Sequence, residues 1–350
     1  KRSANTPHAS VRIGIAGGGT LLEPMIRAYA AQPRLEFLAV YSTDKKALLK
    51  FATDSRIHSV FSDFDEFAAQ AEAVEVLDLG ADRDAVARSL LEKGRHVSLQ
   101  KPFAYSMEQA NSLMAAAGRG RAFLRVNDYS LFFEPHRRIR RLIREGEIGE
   151  VCAIRVRSNL AGRGGSGPVP DMLKGEKAFF HPAFDKYALA VYLLGGVESV
   201  CCYHSAMKPR RGGRIVAGCK FRAPGRYGVF EHTFAPDTEI RATGLPVDDT
   251  LEIAGTDGII WCNHFHGKLT EAPWIEVRRG KKHYTLGVGS GMALDWEQSL
   301  ETSAAHFLER VARGRQPELS AAHARKALAV QIAVQTAARE NTEVSVDSIQ

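Results

Sequence analysis

The apolar run VRIGIAG leads straight into Gly17-Gly18-Gly19-Thr20-Leu21-Leu22. Gly17 and Gly19 fill the first two places of a G-x-G-x-x-G turn, and Leu22 stands in the third. The first glycine of such a turn permits a tight reversal. The second lets backbone N–H groups approach a pyrophosphate at the N-terminus of the next helix. This predicts dinucleotide binding through Gly17, Gly19, Thr20 and Leu21, against the alternative of a merely structural turn. Leu22 departs from the small residue expected for close helix-to-strand packing, and Pro24 falls early in the helix.

A second group lies where the next apolar run, LEFLAVYS, ends in Ser42-Thr43-Asp44-Lys45-Lys46. An acidic side chain at a strand end of this kind binds the ribose 2′-hydroxyl of NAD. Two hydroxyls followed by lysines can instead hold a 2′-phosphate, because a hydroxyl does not repel it and an ammonium neutralises it. Ser42, Thr43 and Lys46 therefore favour NADP over NAD. The alternative is that Thr43 or Asp44 caps a helix whose lysines are its solvated face. A third candidate is Lys101, which follows the run HVSLQ and precedes Pro102, at the carboxyl end of a strand where open α/β sheets bind ligands. Asn263-His264-Phe265-His266 places two histidines on one face of a strand, but no further ligand types stand at metal spacing, so no metal site is expected.

The elements that must position these residues follow from periodicity. From Val11 to about Val126, short apolar runs alternate with amphipathic stretches, which predicts a parallel sheet covered on both faces. After the basic amphipathic stretch HRRIRRLIREG, stopped by Gly146, come consecutive strand-like segments from VCAIRVRSN to WIEVRRG, which predict a mostly antiparallel sheet. Two long helical stretches close the chain. The expected class is α/β followed by α+β.

Several segments together resemble the Gfo/Idh/MocA oxidoreductase family: the glycine turn, GRHVSLQKPFA, REGEIGEV, YLLGG, TLEIAGTDGIIW and FLERVARGRQPELSAAHARKALAVQIA. The similarity runs in order from Val11 to Val346. It implies a doubly wound Rossmann domain over residues 11–126 after a polar tail at 1–10. Residues 127–350 would then form a substrate-binding and oligomerisation domain with a large, open-faced, mostly antiparallel sheet. The family's Glu-Lys-Pro motif supplies a catalytic lysine, which the resemblance places on Lys101. Gln100 replaces the glutamate, so the charge partner is lost. The family's second signature, an Asp followed four residues later by a His, is met in exchanged order by His181 and Asp185. The resemblance implies Lys101, His181 and Asp185 as catalytic residues. It implies the same three, with Asn127 and Tyr129, as substrate contacts. Where members carry Thr-Pro and then a cofactor-lining His, this chain has Asp78-Leu79 and then Arg83.

The implied activity is NAD(P)-dependent hydride transfer at a carbinol or carbonyl of a sugar, inositol or related polyol. Lys101 or His181 handles the hydroxyl proton, and the sequence does not choose between them. Two alternatives stay open: a cofactor-binding but catalytically silent member with a structural or regulatory role, and an enzyme that uses the cofactor transiently for a net elimination or epimerisation. Composition narrows the partners. There are 47 basic and 40 acidic side chains, spread along the chain, and the arginine-rich stretch has an ordinary apolar stripe without interleaved aromatics, so no nucleic acid is expected. No apolar run approaches the roughly 20 residues of a membrane span. Five cysteines without a Cys-x-x-Cys, and a polar start with no apolar stretch behind it, predict a cytoplasmic protein. The resemblance adds a homodimer or homotetramer.

Overall fold

The computed structural model describes residues 10–163, 184–208, 212–240, 247–263, 273–287 and 296–349. Its helices are α1 (Leu22–Ala30), α2 (Lys45–Ala52), α3 (Phe64–Gln70), α4 (Arg83–Glu92), α5 (Met107–Gly120), α6 (Glu134–Arg144), α7 (Phe184–Leu194), α8 (Trp296–Ala312) and α9 (Ala321–Glu340). Two compact units are present. One comprises residues 1–132 with 295–325, and the other 133–294 with 326–350.

The first unit is built on β1 (Val11–Ala16), β2 (Leu35–Tyr41), β3 (Ser59–Phe61), β4 (Ala73–Val76), β5 (His96–Gln100) and β6 (Leu124–Asn127), all parallel, in the order β3-β2-β1-β4-β5-β6. Helices α1 to α5 form the crossovers. Strands covered on both faces read as near-continuous apolar runs, and Ile13, Ile15, Leu38, Val40, Val74, Val76, Val97 and Leu99 are all buried. The domain boundary expected after residue 126 falls after Phe132, and residues 295–325 return to this unit. The reason is apolar area: α8 places Leu300, Ala304, Phe307 and Leu308 in one cluster with Ile13, Met25, Ile26 and Tyr29.

This apolar core holds one polar network. Glu75 on β4 accepts from the Tyr29 hydroxyl at 2.8 Å and from Asn127 Nδ2 at 2.8 Å. Ser303 Oγ on α8 donates to Asn127 Oδ1 at 2.9 Å. Arg125 on β6 donates through Nε to Ser98 Oγ at 2.8 Å and through Nη1 to the Ser303 carbonyl at 3.0 Å, with its guanidinium 4.5 Å from the Phe307 ring centroid. Burial pushes the Glu75 carboxyl up and the Arg125 guanidinium down, each opposed by the other's charge 3.9 Å away. Such a pair is worth little against an apolar replacement of both members but is costly to break singly.

The second unit carries a nine-stranded sheet. Its strands are β7 (Val151–Arg163), β8 (Val197–Lys208), β9 (Gly212–Phe221), β10 (Tyr227–Glu239), β11 (Val247–Gly255), β12 (Gly258–Cys262), β13 (Ile275–Arg279), β14 (Lys282–Leu286) and β15 (Val344–Ser345). The order is β14-β13-β12-β11-β7-β10-β9-β8-β15, antiparallel except for the central β7/β10 pair. Alternation sets its two faces. Ile154, Val156, Phe230, Leu251 and Ile253 are buried, and α7 packs Tyr187 edge-on against Phe230 at 5.0 Å. On other positions Tyr203 and Tyr227 are exposed. All five cysteines are free, and no described helix is long and apolar enough to cross a membrane.

Arg125→Met should lower the unfolding free energy by about 3–5 kcal/mol in urea titrations, because it leaves Glu75 buried without a counter-charge. Adding Glu75→Gln should recover most of that loss.

Candidate active site

In the first unit the strand order reverses between β1 and β4, and the residues that follow these strands define the crevice of an open α/β sheet. Gly17 adopts φ +110°, and a Cβ there would lie 2.7 Å from the Asp78 carbonyl oxygen. The Gly18 N–H donates to that same carbonyl at 2.9 Å, and the Gly17 N–H donates to Tyr41 O at 3.2 Å. Glycine at 17 is therefore required by close backbone approach. Gly19 has φ +84°, and a Cβ at Gly18 would meet nothing within 4 Å. Gly19 and Thr20 are exposed, and Leu21 provides no side-chain cap for α1. The turn thus offers an open cradle of main-chain groups at a helix N-terminus that fits a phosphate. Leu22 is buried in the core cluster, and Pro24 sits in the first turn of α1, where a missing N–H removes no intrahelical bond.

After β2, Asp44 is the helix cap: its Oδ1 accepts from Lys46 N at 2.9 Å, while Ser42 Oγ accepts from Asp44 N at 3.1 Å. The Asp44 carboxylate is thereby committed to α2. Thr43 and Lys46 are exposed.

Lys101 follows β5, joined to Pro102 by a cis peptide bond. Arg83 holds the main chain on both sides of it, donating to Gln100 O at 3.4 Å and to Pro102 O at 2.8 Å. That is the use of the arginine that departs from the family pattern. A charge partner is present despite Gln100: Asp128 Oδ1 lies 3.9 Å from Lys101 Nζ, and the Tyr129 ring centroid is 5.0 Å from the same atom. Tyr129 thus stands beside Lys101. Asn127 is turned into the core. It is fully buried, with one amide end on Glu75 and the other on Ser303, because its side chain ties β6 to β4 and α8.

The second unit holds a separate buried polar group. His232, Ser158 and Asp249 are cross-strand neighbours on β10, β7 and β11. Lys186 on α7 donates to Asp249 Oδ2 at 2.6 Å and lies 3.5 Å from Asp185 Oδ2, and Ser158 Oγ donates to Asp249 Oδ1. Asp185, Lys186, Asp249, Ser158 and His232 are all buried. Burial, and then the Lys186 charge, bring the His232 imidazole down to about 4, and no described residue hydrogen-bonds its Nε2. His181 lies outside the described residues, as do His264 and His266. No group of three or more metal-ligating side chains occurs among the described residues.

Sequence reasoning reached Asp185 but missed Lys186, Ser158, Asp249 and His232. The signal lay in the period-2 sets: Ile154-Val156-Ser158-Leu160, Phe230-His232-Phe234 and Val247-Asp249-Leu251-Ile253 each contain one polar residue in an apolar series. The three interruptions meet in one buried polar group, and the register that brings them together is visible only in the sheet.

Neutral His232 is the folded form near pH 7. Protonation is easier in the unfolded chain, so stability held above about pH 6.5 is lost as pH falls toward 4. His232→Asn should remove about 3 kcal/mol of that acid loss in urea titrations between pH 8 and pH 4. His306 in the first unit, also brought down to about 4 by burial, should keep its own share.

Comparison with known proteins agrees with this geometry. Residues 11–128 match the model of an oxidoreductase family with an NAD-binding Rossmann fold. The chain is 30% identical over 144 residues to a 1-carboxy-3-chloro-3,4-dihydroxycyclohexa-1,5-diene dehydrogenase of Comamonas testosteroni, covering 40% of this chain and 36% of that one. It is 27% identical over 148 residues to a trans-1,2-dihydrobenzene-1,2-diol dehydrogenase of Xenopus tropicalis, covering 41% and 44%. These matches span less than half the length of either relative. A levoglucosan dehydrogenase solved with NADH and levoglucosan has a TM-score of 0.79 at 19% identity, over 96% of this chain and 99% of that one. An Agrobacterium radiobacter oxidoreductase solved with NAD+, L-tartaric acid and magnesium has a TM-score of 0.79 at 16% identity, over 98% and 100%. At these identities the likeness is one of fold. The match to the Gfo/Idh/MocA family model covers about a third of the chain, and over the rest the likeness is one of fold.

Proposed function

We propose that the chain is an NAD(P)-dependent oxidoreductase acting on a carbinol or carbonyl of a sugar-, inositol- or polyol-like small molecule. The observation that carries this reading is the pairing, within one unit, of an open glycine turn after β1 with a lysine after β5, both at carboxyl ends of strands in one parallel sheet. The main-chain N–H groups of Gly19, Thr20 and Leu21 hold the pyrophosphate, and Gly17 makes the close turn that presents them. Ser42, Thr43 and Lys46 receive the ribose end, and their hydroxyls and ammonium favour a 2′-phosphate, so NADP is preferred over NAD. The Asp44 carboxylate caps α2 through Oδ1, which turns that oxygen toward the helix. The bound nicotinamide supplies the hydride acceptor or donor.

Lys101 donates a hydrogen bond to the reacting oxygen and moves its proton, work that contributes on the order of 10²–10⁴-fold to rate. Asp185, whose Oδ2 lies 3.5 Å from the Lys186 ammonium, and His181 are the acid–base and substrate-contacting residues assigned to the second unit. The named substrates of the relatives, cyclic diols and an anhydrosugar, support the polyol class. Free cysteines support a reducing, cytoplasmic setting, and the exposed tyrosines of the nine-stranded sheet support a homodimer or homotetramer.

Titration of the nucleotide-free protein with NADPH and NADH, followed by nicotinamide fluorescence, should show saturable binding of both and tighter binding of NADPH. Clear preference for NADH removes the role given to Ser42, Thr43 and Lys46. Binding of neither replaces the redox reading with that of a silent, partner-binding protein. Lys101→Ala should retain nucleotide binding and lower turnover of a polyol substrate by about 10²-fold or more.

A further inference from the structure

We infer that Asp128 is the positioning residue of Lys101, the carboxylate that holds its ammonium charged and aimed; this rests on the assignment of Lys101 as the proton-handling group. Asp128 begins the connection from β6 to α6, immediately after Asn127, which pairs in register with Gln100. The sheet therefore brings the segment that follows β6 alongside the segment that follows β5, and Asp128 comes to lie next to Lys101 without adjacency in sequence.

The Asp128 side chain is only 2% exposed, against 19% for Lys101. Its Oδ1 accepts from the Ser130 N–H at 3.2 Å and from Ser130 Oγ at 2.7 Å, which fixes the rotamer. Oδ2 is buried and has no hydrogen-bond partner among the described residues. A carboxylate in this state needs a counter-charge. Lys101 supplies one at 3.9 Å from Oδ1. Tyr129 adds its ring face 5.0 Å from the Lys101 ammonium, an attraction that also requires the charged form. Arg83 is engaged elsewhere, by Asp84 and by the carbonyls of Gln100 and Pro102.

The chemical consequence is directional. An opposite charge at this distance favours the ammonium over the free amine. Lys101 is thereby kept as a proton and hydrogen-bond donor toward a substrate oxygen, and the neutral Gln100 leaves this duty to Asp128.

Trace acetylation of the full-length protein with isotopically labelled acetic anhydride, read by mass spectrometry on the peptide containing Lys101, tests the pairing without reference to activity. Only the free amine reacts, so Asp128→Asn should raise the Lys101 rate roughly tenfold while the other lysines keep theirs. Asp128→Glu should retain the slow rate, and Ser130→Ala, which keeps the charge, should stay within about twofold of the parent. An unchanged Lys101 rate in Asp128→Asn overturns the proposal.

Melting temperatures give a second reading if Asp128→Asn is poorly stable. In the set comprising the parent, Asp128→Asn, Lys101→Gln and the double variant, the double variant should melt above the sum of the single losses, and strict additivity overturns the pairing. Faster acetylation without nucleotide binding keeps the pair and refutes the redox reading. Nucleotide binding with unchanged acetylation refutes the pair alone.

Discussion

The close approach of the chain after β1 to the chain after β4 is the constraint on which the first unit depends. A parallel sheet wound in both directions from β1 must open at that point, and here the opening is held by main chain: the Gly18 N–H bonds to the Asp78 carbonyl, and no Cβ fits at Gly17. Any other residue at Gly17 combines an unfavourable φ with a clash against backbone, which cannot move aside as a flexible side chain would. Because the turn is closed by backbone, its outer edge at Gly18, Gly19 and Thr20 stays clear of side-chain caps. The open main-chain edge proposed to receive a phosphate is thus a by-product of how the sheet is made.

Two buried polar groups among the described residues differ in how they are satisfied. In the first unit, Glu75, Arg125, Asn127, Tyr29, Ser98 and Ser303 bind one another across β4, β5, β6, α1 and α8. The network fixes α8 against the sheet, so residues 295–325 belong to the first unit although the chain passes through the nine-stranded sheet before reaching them. In the second unit, Lys186 draws together Asp185 and Asp249, and His232 Nε2 beside them has no hydrogen-bond partner among the described residues. A native structure retains a buried polar atom without a partner where something else, water or ligand, completes it. The first arrangement is closed on itself, and the second leaves one imidazole nitrogen without a described partner.

Local pattern carried much of this into the sequence. VRIGIAG and the glycines behind it are legible because a buried parallel strand and a tight glycine turn are each encoded in a few consecutive residues. Gly146 as the end of α6 and the switch to consecutive strands after it are equally local, and Gly146 does adopt φ +72°. What was not legible depends on register between distant strands. Asn127 reads as a substrate contact from its place after β6, yet pairing with Gln100 and packing under α8 bury it. Asp128, one residue further on, becomes the charge partner that position 100 lacks. Arg83 reads as a loss and turns out to hold the backbone around Lys101. His232, Ser158 and Asp249 lie far apart in sequence and meet only because β10, β7 and β11 are adjacent.

The central claim, that a dinucleotide lies on the turn after β1, is tested most directly by amide hydrogen exchange of the protein with and without saturating NADPH. Amides that are open in the free protein exchange readily, and those covered by a bound phosphate do not. The account predicts slowed exchange in peptides spanning Gly17 to Glu23 and in those spanning Ser42 to Lys46, with the interior of the nine-stranded sheet unchanged. Exchange at Gly17 to Glu23 that is indifferent to nucleotide, or protection confined to the second unit, would contradict it.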